Sequence, residues 1–184
     1  MPSILSDIHD NHISNVEYGC VFCRTGYENR VISEIGTCIG FSNVLSPVKI
    51  RRKYHGGRPI EEQVLLFPGY VFVRMTSENM IRRPINTSYT YKVLTDCSGD
   101  WKLKGTDKAF AEKVFQINGV FDLSVATFVG DRIRIIEGPL LDLCGQIIRV
   151  NNRRKTAEIE VDLHGNNFHV WLGFEQLEEK KGKV

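Results

Sequence analysis

The chain has 184 residues, of which 42% are hydrophobic and 25% charged, with a formal net charge of +2. These values exclude a disordered or coiled-coil chain and a uniformly basic one, and the length allows one full domain with a smaller one beside it. No apolar run approaches the roughly 18 residues of a membrane span, and the opening MPSILSDIHDNHISNVE lacks a signal-peptide core. A cytoplasmic, monomeric protein with no membrane attachment is expected, with residues 1–16 as a tail.

The first half alternates strands and helices. A strand is predicted around Tyr18 to Arg24, then a helix opened by a Thr25/Glu28 capping box, with Val31, Ile32, Ile35, Cys38 and Ile39 at helical spacing and Gly40 as its stop. Residues 43–53 read as a strand that becomes basic, and HGGRP at 55–59 turns it into a second strand over 62–67. A further strand ends near Met75. Ser77 suggests the start of a short helix closed by Pro84, Tyr89 to Val93 alternate as a strand, and Thr106 caps a helix that ends before Asn118-Gly119. The pattern is an α+β domain over 17–119, an antiparallel sheet with helices on one face and part of the other free.

Helical periodicity stops at about residue 124. After a linker over 120–127, β-prone runs at 131–136, 145–150, 156–162 and 167–172 and a stub at 174–177 predict a small all-β, SH3-like barrel over 128–180. In TAEIEVD, Ala157, Ile159 and Val161 alternate with Glu158, Glu160 and Asp162, inward against outward.

The five cysteines are odd in number and scattered, as reduced thiols would be. Cys20 and Cys23 lie in a β-prone run with no second ligand pair, so they read as small apolar side chains, and neither metal nor cofactor is expected. No GxSxG, Walker A, HExxH or dinucleotide fingerprint is present, so no enzyme is expected.

Charge is balanced in each half, 15 basic against 13 acidic residues before residue 124 and 9 against 9 from there on. Phosphate binding therefore falls to local clusters. Lys49, Arg51 and Lys53 share one side of a strand, where they either run beside DNA or guard an exposed edge. The loop RVNNRRK, with Arg149, Asn151, Asn152, Arg153, Arg154 and Lys155, holds four cations and no acid; a tight Asn151-Asn152 turn would present a cluster for folded RNA, or merely a solvated turn. In EQVLLFPGYVFVRM, Pro68-Gly69 interrupts a strand between Phe67 and Tyr70, two rings that serve either the core or a partner.

LFPGYVFV, preceded by a strand ending CRTGYE, resembles the N-terminal domain of the NusG family of transcription elongation factors, and VGDRIRIIEGPLLDLCGQIIRV resembles that family's KOW motif. Both fall in the family's order. Within it, NNRRKTAEIEVDLHGNNFHVWLGFEQLEE is most similar to the LoaP-type paralogues, which are specialised processive antiterminators. The resemblance implies that the first domain docks on RNA polymerase through an apolar face bordered by Phe67, Pro68, Gly69 and Tyr70, with Tyr18 on the first strand. Ser77, Glu78 and Asn79 would touch the opposite rim of the cleft, or simply cap a helix. It further implies that Lys49, Arg51 and Lys53 approach upstream DNA and that the KOW domain binds an RNA hairpin in a leader transcript. A general elongation factor, whose KOW domain meets the termination factor Rho or a ribosomal protein, is the alternative, and a ribosomal or other structural RNA-binding protein the second.

Overall fold

A computed structural model describes residues 16–75, 87–129, 132–143 and 146–177. β1 (Glu17–Cys23) is buried on both faces and occupies the middle of a sheet, between β5 (Tyr70–Met75) and β6 (Thr90–Val93), both antiparallel to it. β2 (Val44–Leu45) closes the far side of β5, giving the order β2-β5-β1-β6. The two-residue period of the strands sorts their side chains into two layers. Val21, Cys23, Val71 and Val73 meet Val31 and Ile35 of α1 (Glu28–Ile39), while Tyr18, Cys20 and Phe72 join Phe110, Val114 and Phe115 of α2 (Gly105–Gln116). The α+β class stands, while the expectation of helices on one face with part of the other free is corrected in the placing of α2. α2 and the second domain fill the face opposite α1, because the apolar side chains on that face are as large as those under α1.

The Thr25/Glu28 capping box does not form. Tyr27 is the N-cap of α1 and makes no side-chain cap. Glu28 instead turns inward, 4% exposed, where its carboxylate accepts hydrogen bonds from the amides of Gly26 at 2.8 Å and Gly69 at 2.7 Å. The Cys23 amide donates to the Gly69 carbonyl at 2.8 Å. Gly69 has φ +86°, and a Cβ there would lie 3.1 Å from the Cys23 carbonyl oxygen, so only glycine fits without strain. The Pro68-Gly69 turn is in this way fastened to the start of α1 by one carboxylate. Glu28→Ala strands two amide donors at a buried site and is expected to cost about 3 kcal/mol. Urea unfolding checks it, and an unchanged midpoint would show that the amides find other partners.

β3 (Val48–His55) and β4 (Arg58–Leu65) form a hairpin across Gly56-Gly57, and β7 (Val120–Phe121) runs parallel to β3 at Val48 and Lys49, giving a second sheet in the order β4-β3-β7. The run expected as one strand over 43–53 is divided before Val48, since Ser46 leaves the ladder to donate its hydroxyl to the Tyr70 carbonyl at 2.8 Å. α2 begins after Lys104, which places Thr106 inside the first turn instead of at the cap. The short helix expected from Ser77 lies outside the described residues.

The second domain is a five-stranded sheet in the order β10-β11-β12-β8-β9. Its strands are β8 (Ser124–Val129), β9 (Arg132–Glu137), β10 (Ile147–Asn151), β11 (Thr156–Leu163) and β12 (Asn166–Gln176), with a single helical turn, α3 (Pro139–Asp142), after β9. β12 is one long strand. It pairs with β11 as far as Gly173 and then lies parallel to β8, so the expected stub at 174–177 is its continuation. Residues 120–127, expected as a linker, hold β7 and the start of β8. Ser124 is fully buried there, and its hydroxyl accepts the Leu140 amide at 2.9 Å. One apolar core runs through both domains, from Phe72 and Phe110 to Ile159 and Leu172.

Candidate functional site

Phe67 points into that core. It is 2% exposed, its ring edge-on to Phe110 at 5.7 Å and Phe168 at 5.2 Å, with Phe72 at 6.1 Å. Of the two roles open to this ring, core or partner, its packing is that of the core. Tyr70 is half-buried and lies between Phe22 at 5.1 Å and Phe168 at 5.0 Å, and Phe22 in turn meets Tyr91 at 5.3 Å. Four rings therefore form a row along the sheet: Phe168, Tyr70, Phe22 and Tyr91, the last 63% exposed. Burial, and then the Cys20 thiol, push the Tyr70 phenol upward, so it stays a neutral hydrogen-bonding group.

Tyr18 is 9% exposed and packs on Phe115 at 5.6 Å, with the Arg74 guanidinium 5.3 Å from the far ring. Burial raises its phenol, with Glu112 adding to the effect. Ser77, Glu78 and Asn79 lie outside the described residues. Phe22 and Tyr91 were missed by sequence reasoning. Phe22 shares the period of Tyr18 and Cys20, and that period is the signal that places it beside its cross-strand partner Tyr70.

The second domain is held over this face by polar contacts. The Lys49 ammonium donates to the Trp171 carbonyl at 2.9 Å, the His164 amide donates to the Asp107 carboxylate at 3.0 Å, and Lys113 pairs with Asp142. Phe168 is the barrel residue that covers Tyr70.

The basic strand is largely paired. Arg51 and Lys53 converge on Glu62 from the same face, and Arg52 reaches both Glu61 and Glu175. Hydrogen bonds from Lys53 and Arg51 hold the Glu62 carboxyl below the usual range. Burial, reinforced by Arg51, lowers the Lys49 ammonium. In the barrel, the reversal after β10 spans residues 152–155 and is no two-residue Asn151-Asn152 turn. Asn151, still paired in the ladder with Thr156, accepts the Arg154 amide on its side-chain oxygen at 2.9 Å, and Lys155 takes φ +52°. Asn152 and Arg153 stand at the tip. Among the described residues Arg153 and Arg154 make no ion pair, while Lys155 donates to Gln176 at 2.6 Å and lies over the Phe128 ring at 5.1 Å. Arg149 departs from the cluster and faces Glu158 at 3.6 Å.

Cys20 and Cys23 are buried in β1. Burial and then Glu28 push the Cys23 thiol up to about 11, and burial raises Cys20 as well, opposite to what a reactive thiol needs. Among the described residues no group of three or more His, Cys, Asp or Glu is placed to hold a metal, and no helix is long and apolar enough to cross a membrane.

The surface features of the described residues are the aromatic row of the α+β domain and the 152–155 turn of the five-stranded sheet, where Arg153 and Arg154 make no ion pair among the described residues. Residues 17–101 match the family model NusG, described as transcription termination factor nusG. Over 138 residues the chain is 26% identical to the transcription termination/antitermination protein NusG of Deinococcus radiodurans, covering 66% of this chain and 72% of that protein. It is 22% identical to the protein of the same name from Pseudomonas aeruginosa, covering 86% and 96%. A solved structure described as domain interaction in Thermotoga maritima NusG covers 86% of this chain and 93% of its own, at 21% identity and a TM-score of 0.44. Residues 17–101 are thus similar to the NusG family of transcription factors, and the similarity to the two bacterial proteins extends over most of the chain.

Proposed function

We propose that this chain is a specialised transcription antitermination factor of the LoaP type, which binds RNA polymerase through its first domain and a leader RNA hairpin through its barrel, promoting readthrough of terminators. The observation that carries this reading is the 152–155 turn, where Arg153 and Arg154 extend from one end of the barrel without a carboxylate partner among the described residues. Arginine forks free of internal pairing are suited to phosphates, and an A-form hairpin is recognised through its shape and backbone. Similarity to proteins named for termination and antitermination supports the transcriptional role. Lys49, Arg51 and Lys53 remain the side chains proposed to approach upstream DNA.

Polymerase docks on the aromatic row in this reading, which requires Phe168 to leave Tyr70. The closed arrangement then lowers apparent affinity by the fraction of time the row is covered. Phe168→Ala removes two edge-on ring pairs from the seam, about 2 kcal/mol in all, and raises the open fraction about thirtyfold. Titration with core polymerase is expected to show a corresponding gain in affinity. Tyr70→Ala added to that variant is expected to weaken binding by about 2 kcal/mol, as an interface anchor would. Unchanged affinity in both would move the docking surface elsewhere.

A further inference from the structure

The two basic clusters lie far apart in sequence and face each other in the fold. Lys49, Arg51 and Arg52 of β3 form one wall of a groove between the domains, and Arg153, Arg154 and Lys155 form the other. The groove has a volume of about 570 Å³, and its lining sets those six cations against a single carboxylate, Glu175. Glu175 and Glu61 together answer Arg52, and Glu62 is shared by Arg51 and Lys53, so a net positive charge remains on both walls. Three aromatic residues join the lining: Tyr54, 73% exposed, Trp171, whose backbone carbonyl is held by Lys49, and Phe174, which is buried. Burial, and then the neighbouring Arg51, lowers the Lys49 ammonium.

We propose that this groove binds single-stranded nucleic acid, with phosphates between the two walls and a base stacked on Tyr54 or Trp171. Cations tracking a backbone with interleaved rings are the pattern that holds a flexible strand. The volume is that of a small-ligand site, enough for a threaded strand and too small for a double helix. The site exists only while the domains are packed, so a strand in the groove holds them closed and, by linkage, opposes docking at the aromatic row. The inference extends the preceding reading, on which it rests for the affinity of the 152–155 turn, from one domain to two.

Fluorescence anisotropy with the full chain tests it, using labelled decauridylate, decathymidylate and a blunt RNA hairpin as probes. Tyr54→Ala is expected to weaken strand binding at least about fivefold. Arg51→Ala should lower the salt slope for the strand by roughly 0.7, and Phe168→Ala, which opens the seam, should weaken the strand as well. None of the three should change hairpin binding. The tighter of the two homopolymers identifies the strand as RNA or DNA. Strand binding indifferent to Arg51→Ala and Tyr54→Ala would overturn the groove while leaving the hairpin site standing. Strand and hairpin binding both indifferent to Arg153→Ala with Arg154→Ala would overturn the preceding reading and the groove together.

Discussion

Phe67→Ala is expected to cost about 4 kcal/mol of unfolding free energy, the range of a fully enclosed phenylalanine. Its ring touches Phe72 and Phe110 within the first domain and Phe168 from the second, so truncation leaves a cavity where the two domains share a core. Little relaxation is open to the site, because Phe110 is itself stacked on Phe121 at 5.9 Å and Gly69 is fastened by Glu28 on the other side. Tyr70→Ala, at a half-buried ring, should cost much less. Urea unfolding of the two variants separates them, and a cost for Phe67→Ala below about 1 kcal/mol would mean that the ring is peripheral.

The second large effect is on RNA. Arg153→Ala together with Arg154→Ala is expected to weaken hairpin binding by about 3 kcal/mol and to reduce the salt slope by about two, one for each lost phosphate contact. Polymerase affinity should stay the same, since neither side chain reaches the aromatic row. Lys155 is engaged by Gln176 and Phe128 and is expected to contribute less than either arginine. Unchanged hairpin affinity in the double variant, at two salt concentrations, would remove the site from this turn.

The period of the side chains made several elements legible. Val31 and Ile35 of α1 are buried at the helical spacing that announced them, and Ala157, Ile159 and Val161 of β11 are buried at the strand spacing. Glu158 breaks that alternation: expected outward, it is buried beneath Arg149 and His169, long side chains from the flanking strands that no local pattern could place over it. Glu28 misled for a similar reason. A capping box is a local motif, whereas its carboxylate is taken by Gly69 on a different strand. The two basic clusters were each visible, but their convergence was not, since it depends on how β12 carries Trp171 against Lys49. Phe67 and Tyr70 were singled out as a pair that the Pro68-Gly69 turn separates. Which ring is enclosed depends on α2 and on Phe168, both distant in the chain.

Terminator readthrough in a purified transcription system tests the central claim most directly. Core polymerase is run on a template with a leader hairpin upstream of an intrinsic terminator, and on the same template with the hairpin deleted. The protein is expected to raise readthrough only where the hairpin is present, and the Arg153→Ala, Arg154→Ala variant to lose that gain. Equal readthrough on the two templates would contradict the account.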